Sequence, residues 1–366
     1  MKILPLNTSV QMLFALLRVS LHEREPECSF FRDASGEDWK ECHRLAADQG
    51  VAALAWDGVM KLPKALQPPL PVKLSWAAGV EAYEKRYLRY CSTVDEVSRF
   101  YAEHGICTMQ LKGVGFSTLY PVPCHREGGD IDIFTYSADR NRMSDMEANR
   151  LADKLMQNQG IEVHTDHTPK HSNFYYKGIP FENHKTFLNV GSYKVAARVE
   201  KILRDCMHPE RVSLAAGEVL MPSAEFNTLF IALHAFQHYG SGLALHHLCD
   251  WAMILRGYGL RIPQELKDEK LLDGMAALTR LCNRYLGSSQ PVEGGERVAE
   301  EMMGEILSPR FATNVPTRNK MGVIIYKTRR LFHVHRLKST ILEQSLVKRV
   351  WGSVVAHVCH PSTIFN

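Results

Sequence analysis

Asp130 and Asp132 stand two residues apart in the run Gly128-Gly129-Asp130-Ile131-Asp132-Ile133-Phe134, where acidic and apolar residues alternate. Alternation with period two is the pattern of a half-buried strand. Both carboxylates then leave one face, roughly 6.5–7 Å apart along the backbone, while Ile131 and Ile133 enter a core. Two carboxylates held side by side disfavour each other's ionisation unless a cation comes between them. Hard oxygen donors of this kind suit Mg²⁺ or Mn²⁺, which takes one or two carboxylates and completes its shell with water and phosphate oxygens. The pair is therefore a platform for metal-assisted phosphoryl or nucleotidyl transfer. Read blandly, it is a strand end with two solvated acids.

The flanks favour the chemical reading. Leu111-Lys112-Gly113 closes one apolar run and opens a short helix, the kind of turn that offers backbone N–H groups to phosphate oxygens. Gly113 allows close backbone approach and Lys112 supplies a cation for a triphosphate. Arg126, just ahead of the acidic strand, can neutralise a phosphate or an Asp. Two later acids are candidates for a third carboxylate, Glu162 and Glu182; each follows an apolar residue in a β-like stretch and precedes a histidine by two, His164 and His184. Further on, His234, His238, His246, His247 and Asp250 fall on two successive helical stretches, with His234 and His238 one turn apart. That spacing can bind a transition metal, which keeps a metal-dependent phosphohydrolase as an alternative, although the adjacent His-Asp pair of such enzymes is missing.

The elements that must position these residues can be read from periodicity. Val10–Leu21, Asp38–Gln49, Val51–Lys61 and Val80–Glu103 carry apolar residues at helical spacing, with Pro63, Pro68, Pro69 and Pro71 reading as a linker between helices. Ile106–Leu111 reads as a buried strand, Val114–Tyr120 as a brief helix and Asp130–Phe134 as the acidic strand. Met143–Gln159 follows as a helix, then β-like stretches at Ile161–Thr165, Ser172–Lys177 and Ile179–Phe187. From Tyr193 the pattern is helical to the end, clearest over Phe226–Tyr239 and Leu243–Leu255. The expected fold class is α+β: a small mixed sheet with helices over 106–190, between a helical N-terminal region, 1–105, and a helical C-terminal region, 191–366.

The turn Leu111-Lys112-Gly113, then Leu119-Tyr120-Pro121, Arg126 and Gly129-Asp130-Ile131-Asp132-Ile133 together resemble the uncharacterised bacterial nucleotidyltransferase-like family of the DNA polymerase β superfold. The resemblance extends to His246-His247-Leu248-Cys249-Asp250-Trp251-Ala252 and so spans most of residues 50–260. It departs at the turn, where Val114 follows Gly113 in place of the usual Gly or Ser. The resemblance implies Mg²⁺-dependent transfer of a nucleoside monophosphate from an NTP, expected to be ATP, to a hydroxyl-bearing acceptor, with release of pyrophosphate. It implies Asp130, Asp132 and Glu182 as metal-binding and catalytic residues, Glu182 matching the family's later acid–x–His strand better than Glu162. It implies Lys112, Gly113 and Arg126 on the nucleotide, and His184, His238, His246 and Asp250 toward the acceptor. A nucleotide-binding or regulatory module without turnover is the alternative of a different class.

Composition sets the outer bounds. The chain has 366 residues, 45% hydrophobic and 23% charged, which is the balance of a globular protein. No apolar run reaches the ~20 residues of a membrane-spanning helix, and Val10–Leu17 reads as a packing helix, not a signal peptide. Nine scattered cysteines with no CxxC pair suit reduced thiols and a cytoplasmic setting. Between Arg318 and Arg349 nine Lys/Arg face one acid, Glu343, a local charge of +8 within a net +4. Such a segment is either a solvated helix face or a surface for an anionic partner.

Overall fold

The computed structural model describes residues 6–165, 170–189, 194–311 and 319–347. The N-terminal helices are α1 (Thr8–His22), α2 (Gly36–Asp48), α3 (Ala52–Lys61) and α4 (Leu70–Ala102). Strand β1 (Ile106–Gln110), the one-turn α5 (Val114–Ser117), β2 (Ile131–Ser137), α6 (Asp145–Asn158), β3 (Val163–His164), β4 (His171–Tyr176) and β5 (Ile179–His184) follow. Then come α7 (Ala196–Asp205), the strands β6 (Glu210–Ser213) and β7 (Glu218–Met221), and the helices α8 (Ala224–His238), α9 (Leu245–Gly257), α10 (Glu269–Leu281), α11 (Glu296–Leu307) and α12 (Lys320–Leu342). The fold is mixed α+β.

Among the described residues seven strands form one open sheet in the order β3-β4-β5-β2-β1-β7-β6. β1 and β2 run antiparallel, whereas β2 with β5 and β1 with β7 run parallel. Alternation sorts the two faces of β2 and β5. Ile131, Ile133 and Thr135 share a face with Phe181 and Asn183, and α6 covers it through Asn149, whose amide donates to Thr135 Oγ1 at 3.0 Å and Asn183 Oδ1 at 2.9 Å. The opposite face carries Asp132, Phe134, Glu182 and His184. On that face Phe134 packs at a tilt against Phe187, and Phe187 meets Phe226 of α8 edge-on at 4.8 Å, so the C-terminal helices lie over the acidic side. α4 packs against β1 and β7.

Helix ends follow local chemistry. Ser35 and Ser144 cap α2 and α6 in reciprocal boxes with Asp38 and Glu147. α4 is longer than the periodicity suggests, 33 residues in place of Val80–Glu103, because Pro71 falls in its first turn, where a missing N–H costs nothing. The larger correction concerns the region after Tyr193: it is not helical throughout, since β6 and β7 pair as a hairpin and β7 extends the sheet at Met109↔Leu220. Buried apolar side chains from the N-terminal helices, sheet and C-terminal helices form one continuous core. Arg318, Lys348, Arg349 and Cys359 lie outside the described residues. Among the described residues the cysteines form no disulfide, and no helix is long and apolar enough to cross a membrane.

Candidate active site

The parallel register sets Asp132 level with Glu182 and Phe134 level with His184; the antiparallel register of β4 sets His171 level with His184. Because side chains alternate along a strand, Asp132, Glu182, His184 and His171 share one face, with Asp130 immediately ahead of β2. His184 Nε2 lies 3.0 Å from Asp132 Oδ1 and 3.5 Å from Glu182 Oε2, and His171 Nε2 lies 3.4 Å from Glu182 Oε2. Ligand atoms of Asp132, Glu182 and His184 fall within 4.8 Å of one another. Glu162, by contrast, precedes the edge strand β3 with its side chain 83% exposed.

Lys112 enters from the end of β1, next to β2, where the Leu111 N–H donates to Asp132 O at 3.0 Å. Its ammonium stands 3.0 Å from Asp132 Oδ2 and 3.5 Å from Asp130 Oδ1. Burial alone would raise the Asp132 carboxyl; Lys112 and His184 override it and hold that acid well below the usual carboxylate range. Asp130 goes the other way, raised by burial and by the charge of Asp132, with Lys112 only partly offsetting both. Burial works against the Lys112 charge, but the two aspartates more than compensate and raise its pKa. Lys170 sits in the same field, lowered by burial against the pull of Asp132 and Glu182.

Gly113 turns the chain with φ +82°, and a Cβ there would meet Gln110 Nε2 at 2.7 Å. Gln110 Oε1 accepts the Gly115 N–H at 2.7 Å, so this buried amide braces the turn. Arg126 is committed elsewhere than to the paired aspartates. Its Nε and one terminal nitrogen donate to Asp250 Oδ1 and Oδ2 at 2.7 and 2.8 Å, the other terminal nitrogen reaches Gly113 O at 3.4 Å, and Tyr120 donates to Asp250 Oδ1 at 2.6 Å. This buried fork ties the loop before β2, and the glycine turn, to α9. Tyr90 of α4 donates to Gly129 O at 2.9 Å on the same loop.

Over this face α8 and α9 bring four imidazoles together. Ring centroids are 4.9 Å apart for His234 and His238, 4.7 Å for His238 and His247, and 3.9 Å for His246 and His247. Burial pushes all four rings toward the neutral form, His238 down to about 4, and the nearby Lys112 charge adds to the push. His246 Nδ1 donates to the Gln49 carbonyl at 3.2 Å, and His247 Nδ1 accepts the Ala244 N–H at 3.2 Å. Nitrogens of His234, His238 and His247 lie within 4.8 Å of one another, but Asp250 turns away to Arg126 and forms no pair with them.

A family model described as an uncharacterised nucleotidyltransferase matches residues 35–287, more than half of the chain and all of the site described above. The chain belongs to this nucleotidyltransferase family. No curated protein matches it. The crystal structure of an antigenic nucleotidyltransferase-like protein from Paracoccidioides brasiliensis is similar over 56% of this chain and 93% of that one, at 13% identity and a TM-score of 0.38, a likeness too slight to carry an argument.

Within this family member the sheet gathers Asp130, Asp132, Glu182, His184 and Lys112, whereas Arg126 and Asp250 face each other at one side. Periodicity misses His171 and Lys170, which lie at and just before the start of β4; the alternation His171-Asn173 is the signal that extends that strand back by one residue. It also misses a second cluster, Glu84, Cys124 and His125, in which His125 bridges Asp57 at 2.8 Å and Glu84 at 3.0 Å.

Proposed function

We propose that this chain transfers a nucleoside monophosphate from an NTP, with ATP the expected donor, to a hydroxyl-bearing acceptor in a reaction dependent on a divalent ion. The observation that carries the reading is the register of β2 on β5, which sets Asp132 beside Glu182 with Asp130 one step ahead. This donor set suits a hard divalent ion: carboxylates crowd at one strand end, and burial and mutual repulsion raise Asp130 even with Lys112 present. Asp130, Asp132 and Glu182 are the residues that would hold Mg²⁺ or Mn²⁺, which when bound polarises the α-phosphate and lowers the pKa of an acceptor hydroxyl.

The chain's own groups complete the reaction. The acceptor oxygen forms a bond to the α-phosphorus, the bond to the bridging oxygen breaks, and pyrophosphate leaves carrying that electron pair. Glu182 accepts the hydroxyl proton. Lys112 offsets charge that grows on the leaving pyrophosphate, and Gly113 admits the phosphates close to the backbone. Arg126 acts by position, since its fork on Asp250 holds both the Gly113 turn and the loop that launches β2. His184 steadies the Asp132 carboxylate, and His238, His246 and their neighbours form the acceptor wall across the cleft. A cytoplasmic setting and an anionic partner for the segment Arg318–Arg349 belong to the same reading; within it α12 carries exposed Met321, Ile324 and Ile325 beside its cations.

Pyrophosphate release from a panel of NTPs with Mg²⁺ or Mn²⁺ tests this. The reading expects release from the native chain and a fall to background in Asp132→Asn. One observation favours a second reading, a nucleotide-binding module without turnover: the Lys112 ammonium already bridges Asp130 and Asp132. That module would gain thermal stability from nucleotide and release no pyrophosphate with any NTP or ion.

A further inference from the structure

His184 is buried completely, and its two nitrogens face different partners. Nδ1 lies 3.3 Å from the Thr186 carbonyl oxygen, and a carbonyl can only accept, so Nδ1 carries the proton. Nε2 points at Asp132 Oδ1, 3.0 Å away, and Glu182 Oε2, 3.5 Å away, so one ring nitrogen and two carboxylate oxygens converge on one spot. The Lys112 ammonium is on the other oxygen of Asp132, Oδ2, which leaves the Oδ1 side to the imidazole.

The orientation is that of a metal-binding histidine, whose remote N–H is fixed by a backbone carbonyl while the other nitrogen turns to the ion. His171 repeats it at the next strand, with Nδ1 2.9 Å from Asn173 Oδ1 and Nε2 3.4 Å from Glu182 Oε2. Ligands about 2.0–2.2 Å from a shared ion lie roughly 3–4 Å from each other. The two His184 contacts fall in that range. We propose that His184 binds the divalent ion together with Asp132 and Glu182, and that this mixed imidazole–carboxylate site selects Mn²⁺, Co²⁺ or Zn²⁺ over Mg²⁺. Imidazole nitrogen favours the first-row transition ions, whereas Mg²⁺ takes oxygen almost exclusively. The proposal rests on the reading of Asp132 and Glu182 as metal-holding residues and adds the ligand that decides which ion they hold.

The test uses the full chain with metal alone. Pulsed electron paramagnetic resonance of the Mn²⁺-loaded protein reads ¹⁴N coupling from a bound imidazole and needs no variant. Calorimetric titration compares Mn²⁺, Zn²⁺ and Mg²⁺. The expected results are ¹⁴N coupling that disappears in Asp132→Asn, binding of Mn²⁺ or Zn²⁺ at least about tenfold tighter than Mg²⁺, and a comparable loss of that preference in His184→Gln. Absence of ¹⁴N coupling in the native protein, coupling undiminished in Asp132→Asn, or equal affinity for Mg²⁺ would overturn it. Neither readout involves nucleotide, so pyrophosphate release with Mg²⁺ alongside absent ¹⁴N coupling sinks this inference and spares the transfer reading, while the converse pair of results does the reverse.

Discussion

Lys112 and the two aspartates it joins have unequal stakes in the fold. Asp132 is buried and pairs with Lys112, so Asp132→Asn leaves a buried ammonium without its counter-charge. Breaking such a pair costs about 3–5 kcal/mol. Asp130 carries a raised pKa from burial and from Asp132, so its charge opposes folding, and Asp130→Asn is expected to unfold at the same urea concentration as the native protein or a higher one. Both changes abolish transfer, so paired urea and pyrophosphate measurements separate stability from chemistry. Lys112→Met removes the cation between two carboxylates. It should lower stability in metal-free buffer and make the melting temperature rise more on adding Mn²⁺ than it does in the native chain. An equal rise in both would contradict the picture of carboxylates short of positive charge.

Two ion-pair clamps hold the elements that carry the site. Arg126 and Asp250 join the loop before β2 to α9, with Tyr120 adding a third hydrogen bond. Asp250→Asn strands a buried guanidinium, and chemical denaturation is expected to show a loss of about 3–5 kcal/mol. The second clamp is His125, whose ring nitrogens reach Asp57 of α3 and Glu84 of α4. Burial works against its charge, but the two carboxylates win and raise its pKa. A histidine raised in the fold stabilises fully below its ordinary value of about 6.5 and loses that contribution as pH rises through the folded value. His125→Gln should therefore flatten the fall in stability on the alkaline side of pH 6.5, measured by melting temperature across buffers. These clamps were not legible from the chain: Arg126 and Asp250 are 124 residues apart, and only the packed fold brings them face to face. The strands β1, β2, β4 and β5 were legible, β1 as a short buried apolar run and β2 by its alternation, because these signals lie within a few residues. β6 and β7 were not, since each has four residues, β6 is mostly exposed, and β7 joins the sheet by a tertiary pairing that no local pattern encodes.

At the scale of the molecule, the histidine-bearing helices α8 and α9 lie near enough to the acidic sheet face for the Lys112 charge to act on His234 and His238. Asp130 and Asp132 could be read from alternation as a pair on one strand, whereas spacing left Glu162 and Glu182 open and only the family resemblance favoured Glu182, which the register sets level with Asp132. The helical side could be read only as a group of histidines, since its relation to Lys112 depends on how the helices fold back over the sheet. Burial keeps His234, His238 and His247 neutral, and His238 takes up its proton only near pH 4. Histidines lowered in the fold stabilise above about 6.5 and lose that contribution as pH falls toward the folded value. Stability is thus expected to drop steadily from pH 6.5 to 4, and a scan of urea midpoints with His238→Gln should show a smaller drop.

The central claim is that the acids at the end of β2 and on β5 grip a divalent ion under an NTP. Anomalous diffraction from a crystal soaked with Mn²⁺ and a non-hydrolysable ATP analogue tests it directly. The account predicts a manganese peak in contact with Asp132 and Glu182 and with oxygens of the triphosphate. Nucleotide bound with no such peak, and Lys112 still seated on Asp130 and Asp132, would contradict it.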